Sequence, residues 1–336
     1  LDDIGKLTVP IAGAGGLTKA GFGVPMIAAY HTHFTVSSDR VRTYTKPSDM
    51  ISDGFTTNDA AYKMASALCA QNPHVNRFKV GRRALAPTQT IDYTPTVTTA
   101  GYIYSGTIDG EDWTFTVTTE TLAAVCTGIA SAIDAISTVT ATGASETKVV
   151  VTAASAGHCA THTNIDRAIQ VEDVTADPGI ATDLTAINQA DADWYGLLID
   201  SFGKAEIVAA DTWLEANKVC LFPAQTADYK VIAATASNVA LTLNASSAGR
   251  TGVIWNQDLD WKLAAGILGQ RLTSVPGADM WHMKNVTGAM PSDFLTATQI
   301  SNLKTARVSY YQTLAGLGML FWGTIAKAGV YFDQVL

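Results

Sequence analysis

The stretch "GHCATHTN" (Gly157 to Asn164) brings His158, Cys159 and His162 together, three side chains of the kind that bind zinc. A structural zinc site takes four ligands, and a hydrolytic one keeps a general base beside three. No other Cys or His lies nearby in the sequence, and no Glu accompanies the three. The expectation is therefore two exposed loop histidines beside a thiol, with no metal. "HTH" (His31 and His33) places two imidazoles on one face of a strand, without a third ligand. His282, between Trp281 and Met283, reads as a packed ring. "GAGGLTKAGFG" (Gly13 to Gly23) has the glycines of a phosphate loop, but Pro25 and a strand-like run follow where a helix should open. It reads as a flexible linker.

The stretch "DWYGLLIDSFGKAEIVAADTWLEANKVCLF" (Asp193 to Phe222) reads strand, helix, strand, the opening unit of many nucleotide-binding enzymes. Its turn, "SFGKAE", has one glycine, where a dinucleotide turn uses several for the tight bend and the approach to pyrophosphate. Lys204 reads as a solvated first-turn lysine. No GxSxG, HExxH or papain-like Cys motif occurs. Asp109, Glu111 and Asp112 crowd a hairpin turn, which they would solvate, and Asp258 and Asp260 precede a helix, where they would cap it. No catalytic, cofactor-binding or metal residue is expected, and the chain is read as not an enzyme.

The elements that carry these residues fall into three parts. Residues 1–89 form an N-terminal segment and the first part of a core. They include a helix in "TTNDAAYKMASALCAQNP", capped by Thr57 or Asn58 and stopped by Pro73, and a short strand in "RFKVGRR". Residues 90–172 shift to Thr, Ser, Ala, Val and Gly and read as an inserted, surface-exposed ββαββ domain. One hairpin turns at Asp109-Gly110, a helix carries Leu122, Val125, Ile129 and Ile133 on one face, and a second hairpin turns near Gly143-Ala144. Residues 173–336 return to an α/β core, with strands "WYGLLID", "KVCLFPAQ" and "RTGVIWN". Helices separate them, the loosest being "ADYKVIAATASNVALTLNAS". Strands alternating with helices imply a mainly parallel sheet covered on both faces, so the fold class is α/β with an α+β insertion.

Composition narrows the partners. The net charge is −8, and the densest basic spot, "VGRR", is short, which argues against nucleic acid. No apolar run reaches the length of a membrane span. Charged residues are 15% against a usual quarter or so, which suits a surface covered by neighbours. The four cysteines (Cys69, Cys126, Cys159, Cys220) form no CxxC and suit synthesis in a reducing cytosol. The chain begins at Leu1 and stops in the strand-like "YFDQVL", so residues are expected beyond Leu336.

The order of segments is itself specific. "AGFGVPMIAAYHT", "DRVRTYTKPSDM", "ALCAQNPHVNRFKVGRR", the Thr-rich insertion, "ADWYGLLIDS", "WLEANKVCLFPAQTAD", "RTGVIWN" and "DWKLAAGILGQRL" follow one another. Together they resemble the tail sheath proteins of contractile-tailed bacteriophages, in a subfamily long known only as a domain of unknown function. The resemblance covers nearly the whole chain and no catalytic signature takes part in it. It implies a sheath-type α/β core serving as a structural body, with the insertion protruding from the tail. It implies subunits in six-membered rings stacked helically around a tail tube protein, bounded by baseplate and tail terminator proteins. It implies terminal arms that add strands to neighbouring sheets, and contraction that drives the tube through the host envelope. Members of the family continue past the equivalent of Leu336. The implied place is the virion tail, after assembly in the host cytoplasm.

Two other readings stay open at this point. One is a doubly wound nucleotide-binding enzyme, which needs a pocket at the carboxyl ends of the core strands. The other is a virion adhesin using the insertion, which needs an exposed cluster among Tyr102, Tyr104, Trp113 and Phe115. Trp113 and Phe115 alternate as a core face would. Within the sheath reading Cys159 stands apart. It is expected in a polar loop on an outward-facing insertion, its thiol acidified by His158 and His162. It could form a disulfide with Cys126 or with a neighbouring subunit's cysteine. Cys69, Cys126 and Cys220 read as buried thiols.

Overall fold

The computed structural model describes residues 23–34, 39–119, 121–145, 147–218, 220–246, 248–274, 281–321 and 325–327. Residues 13–22 of the glycine-rich loop and the final "YFDQVL" lie outside them.

The chain is α/β, and its centre is a parallel sheet. Strand β1 (Pro25–Tyr30) lies between β3 (Phe78–Arg83) and β11 (Gly196–Ile199), parallel to both, and β2 (Val41–Tyr44) closes that side antiparallel to β3. Strands β12 (Phe222–Thr226), β13 (Thr251–Trp255) and β14 (Ser309–Leu314) continue in parallel, and β15 (Leu317–Phe321) ends the row antiparallel to β14. The two sets join through a parallel bridge from Gly196 to Leu221. There Leu197 N donates to Leu221 O at 2.8 Å and Leu221 N to Tyr195 O at 2.9 Å. The order is therefore β2-β3-β1-β11-β12-β13-β14-β15. The chain leaves β1 toward β3 and leaves β11 toward β12, so the winding reverses between β1 and β11.

The apolar runs explain the middle of this sheet. "PMIAA", "GLLI" and "TGVIW" are buried without alternation, as strands covered on both faces must be. Along β1 the side chains still divide by parity. Ile27 and Ala29 join a core with α2 (Ala60–Cys69) and α8 (Lys262–Arg271). Met26 and Ala28 join the opposite core with α4 (Ile180–Ala190), α5 (Lys204–Asn217) and α7 (Val239–Ser246). The further helices of the core are α1 (Pro47–Ser52), α6 (Tyr229–Ile232) and α9 (Ala297–Thr305). The run expected as one loose helix is two. Ala234 sits at φ 55°, and Asn238 restarts the helix by accepting from Leu241 N at 2.9 Å.

Helices α2 and α8 approach backbone to backbone. A Cβ placed on Gly269 would lie 2.4 Å from Leu68 O and 2.8 Å from Leu68 Cα. A backbone cannot rotate away as a side chain can. Gly269→Ala is expected to cost about 1–3 kcal/mol, the range for overpacking a filled core. A thermal melt within error of the parent's would show that the helices can part.

Residues between β3 and α4 build two small sheets. Strands β10 (Ile169–Asp173), β4 (Thr90–Pro95), β8 (Lys148–Ala153) and β7 (Val139–Ser145) form one, in that order. Strands β6 (Glu111–Thr116), β5 (Ile103–Ile108) and the short β9 (His162–Thr163) form the other. Helix α3 (Leu122–Ile133) buries Val125, Cys126, Ile129, Ala130 and Ile133 against them. The first hairpin turns at Asp109 (φ 49°) and Gly110 (φ 87°), as expected. The second does not turn at Gly143-Ala144. Ser145 pairs with Lys148, and Gly143 falls in a register shift, where a Cβ would sit 3.3 Å from Thr127 N. That glycine serves the close pass of α3 and not a turn. Gly128 likewise leaves room for the Phe115 ring.

Candidate functional site

In a doubly wound sheet a ligand binds outside the carboxyl ends of the strands, where the winding reverses. Here that place lies past Tyr30 of β1 and Ile199 of β11. Four charged side chains converge on it from four elements: Arg83 ends β3, Asp200 follows β11, and Asp183 and Glu206 stand in the first turns of α4 and α5. Arg83 donates from Nη1 to Asp200 Oδ1 and from Nη2 to Glu206 Oε1, and its Nε lies 3.7 Å from Asp183 Oδ2. Asp200 Oδ2 accepts from Tyr30 N at 2.7 Å. Asp183 accepts from Arg40 Nη2 at 2.6 Å, Ala84 N at 2.9 Å and Leu85 N at 3.2 Å. The four side chains are at most 1% exposed.

Burial works against charge in this cluster. It opposes the Arg83 guanidinium, but Asp200 and Glu206 outweigh it and hold the group charged. Glu206 is pushed up to about 7, mainly by burial, with Arg83 pulling the other way.

The chain itself fills the crevice. Gly157, at φ 82°, lies against Tyr30 so closely that a Cβ would come within 2.0 Å of the ring. Gln89 clasps the next loop residues, with Nε2 donating to Ala160 O at 3.1 Å and Oε1 accepting from Ala160 N at 2.7 Å. The single glycine of the "SFGKAE" turn faces an internal anion: a Cβ on Gly203 would sit 3.1 Å from Asp173 Oδ1. Asp173 also accepts from Thr175 N at 2.9 Å, and burial pushes it up to about 6. A carboxylate of the chain thus stands where a cofactor phosphate would approach α5. Lys204 reaches away, donating to Ser237 O at 2.7 Å.

The residues singled out in the sequence lie apart. Cys159 is not in a wet loop. It is 4% exposed, and burial, with Asp200 and Glu206 adding to it, pushes its thiol well above the ordinary range. The expected acidification by neighbouring imidazoles is corrected, because the loop is folded under the switch point. Cys126 is 1% exposed in the α3 core, its thiol raised by burial. No disulfide forms among the described residues, and the two cysteines named for a possible bridge, Cys159 and Cys126, are both buried. A thiol reagent is expected to leave Cys126, Cys159 and Cys220 untouched until the protein unfolds. Cys69, half-buried and pushed up to about 11, should react slowly. Rapid labelling of Cys159 in the native protein would contradict its placement.

The two histidines separate as well. His162 is buried, faces the Tyr93 hydroxyl through Nδ1 at 2.6 Å, and is lowered to about 4 by burial. His158 Nε2 meets Asp109 Oδ2 at 2.7 Å. Asp109 does not solvate its turn. It takes Lys63 Nζ at 2.9 Å and Thr161 N at 3.0 Å. Although burial raises it, His158 and Lys63 outweigh that and hold it well below the usual range. Among the described residues no three potential ligands gather around a point. Asp260 accepts from Lys262 N at the start of α8, at 3.1 Å, but Asp258 instead holds Asn164 N at 3.0 Å. β1 ends at Tyr30, so His31 and His33 follow it. Their rings stack 5.6 Å apart beside Phe55, and burial lowers His31 to about 3. His282 packs on Phe321.

Sequence reasoning missed the cluster around Arg83. Its signal was present as a charged residue closing each apolar strand, in "FKVGRR" and "GLLID". No family model matches the chain, and no curated protein matches it. Among solved structures it is similar to the sheath tail protein of Desulfitobacterium hafniense. Identity is 10%, coverage is 94% of this chain and 76% of that one, and the TM-score is 0.49. A likeness of that size identifies no residue and no activity.

Proposed function

We propose that this chain is a structural subunit of a contractile phage tail sheath. Copies would stack as six-membered rings around a tail tube, between baseplate and terminator, and the stack would contract to drive the tube through the host envelope. The observation that carries the structural half of this reading is the filled crevice. The switch point between β1 and β11, where a doubly wound fold commonly takes a nucleotide, holds Arg83, Asp200, Glu206 and the Gly157 loop. The sheath half rests on the run of segments from "AGFGVPMIAAYHT" to "DWKLAAGILGQRL".

Two surface features support self-association. The β14–β15 hairpin turns at Ala315 and Gly316 and presents Leu314 and Leu317, 43% and 56% exposed. A solvated hairpin tip is ordinarily polar, so an apolar one suits contact with a neighbour. Charged residues are sparse over the whole chain. The adhesin reading is less well supported. Tyr104 and Trp113 are buried, and Tyr102 and Phe115 pack against the core.

Sedimentation velocity with and without ATP or NAD tests the proposal. It expects species far above the 35.4 kDa monomer whose size ignores either nucleotide. A monomer that binds one of them saturably would overturn it.

A further inference from the structure

Among the described residues, two of the clefts between the insertion and the core differ in charge. The larger, about 500 Å³, lies between α2 and the β5–β6 turn. Its lysines are already paired, Lys63 with Asp109 and Lys262 with Asp260, each at 2.9 Å. It presents no charge in want of a partner. The smaller, about 290 Å³, lies beyond the carboxyl ends of β12 and β13, where β10 of the insertion faces α6 and the start of α9. Its lining contains one cation, Arg167, and no acidic residue, in a chain with 30 acidic and 22 basic residues.

The groups facing this smaller cleft are unlike a packing seam. Arg167 is exposed, with no ion pair among the described residues. The Gln170 amide and the Tyr229 hydroxyl, both half-buried, have no hydrogen-bond partner among the described residues. Phe294 forms an apolar wall, 36% exposed and edge-on to the Trp255 ring at 6.2 Å. Gln257 and Gln299 are held in place. Gln257 Nε2 donates to Ile165 O at 2.8 Å, and Gln299 Oε1 accepts from Thr296 N at 2.9 Å. The cleft therefore offers a fork of donors for a carboxylate, free amide and phenol groups for hydroxyls, and an aromatic wall for a C–H face.

We propose that this cleft binds an acidic monosaccharide, a pyranose bearing one carboxylate. Arg167 takes the carboxylate, Gln170 and Tyr229 take ring hydroxyls, and Phe294 covers the apolar face of the ring. The lone unpaired cation selects an anion, and the volume, near the lower end of small-molecule sites, selects a single ring. A bare inorganic anion would leave the amide, phenol and aromatic groups unused. A longer apolar ligand would leave the guanidinium unpaired. The site does not depend on the assembly role, and its residues take no part in the Arg83 cluster.

Titration of the 336-residue chain with glucuronate, glucose and acetate, followed by ligand-observed NMR, tests this. Glucuronate is expected to saturate with Kd on the order of 1 mM, about −4 kcal/mol, with glucose and acetate at least about tenfold weaker. Arg167→Gln should weaken glucuronate about tenfold and leave any glucose signal alone, and Phe294→Ala should weaken it severalfold. Arg167→Lys keeps the charge without the fork and should fall between parent and Gln. Equal binding of acetate and glucuronate would reduce the site to a plain anion site and overturn the saccharide assignment. Equal binding of glucose, an unchanged Arg167→Gln, or no saturation would overturn the proposal. Arg167 is exposed, so the variants should melt with the parent, and a lowered melt in both Arg167 variants would show a structural role in place of binding.

Discussion

Arg83→Met is expected to destabilise the protein by about 3–5 kcal/mol, the range for removing one partner of a buried ion pair. Arg83 is the guanidinium shared by Asp200 and Glu206, and it lies 3.7 Å from Asp183. Without it, three carboxylates remain in a space closed to water, with only Arg40 beside Asp183. Glu206 can take a proton and escape part of the penalty. Asp200 is held by Tyr30 N and has no other cation among its hydrogen bonds. At roughly 2–4 °C per kcal/mol for a large domain, the melting midpoint should fall by about 10 °C. Arg40→Met should cost clearly less, because Asp183 keeps the Ala84 and Leu85 amides. The triple variant Arg83→Met, Asp200→Asn, Glu206→Gln should recover part of the loss, since it removes the two carboxylates that the single variant leaves buried without their cation. A single variant within about 0.5 kcal/mol of the parent would mean the cluster does not hold the crevice closed.

The parent should lose stability relative to Glu206→Gln as pH rises from about 4.5 to about 7. A free glutamate ionises near 4.3, whereas Glu206 in the folded chain is pushed up to about 7. Below that window both states are protonated and the parent resembles the Gln variant. Within it the folded state keeps a proton that the unfolded state has released, so each step up in pH favours unfolding. Above about 7 both states are ionised and the loss is complete. The slope approaches about 1.4 kcal/mol per pH unit, and the whole effect is on the order of 3 kcal/mol. Asp200 and Glu206 both accept from Arg83, so the Glu206 variant also changes how that guanidinium is shared. Asp173, Asp211, Asp228 and Asp258, each raised to about 6 by burial, shift stability in the same direction. His31 and His162, lowered by burial, shift it the opposite way. Only the difference between parent and variant isolates the site. Denaturant midpoints at pH 5 and pH 8 give it, and parallel behaviour of the two proteins would contradict a raised Glu206.

What could be read from the sequence was local. "PMIAA", "GLLI" and "TGVIW" are short apolar runs, and each became a strand of the parallel sheet. Asp109-Gly110 carries its own turn chemistry, and the turn formed there. The misplaced features depend on partners far along the chain. Cys159 sits among polar neighbours, but Gln89 and the Tyr30 ring lay its loop over the sheet. Asp109 resembles a solvating carboxylate until Lys63, 46 positions away, reaches it. Arg83 and Asp200 are 117 positions apart, and no periodicity links them. Gly143 shows the same limit on a smaller scale. A glycine between two strands suggests a turn, whereas here it admits the backbone of α3.

Negative-stain electron microscopy of the purified chain tests the central claim most directly. A sheath subunit is expected to appear as rings or as hollow, transversely striated cylinders with a lumen wide enough for a tube. Featureless monomers at every concentration would contradict the account.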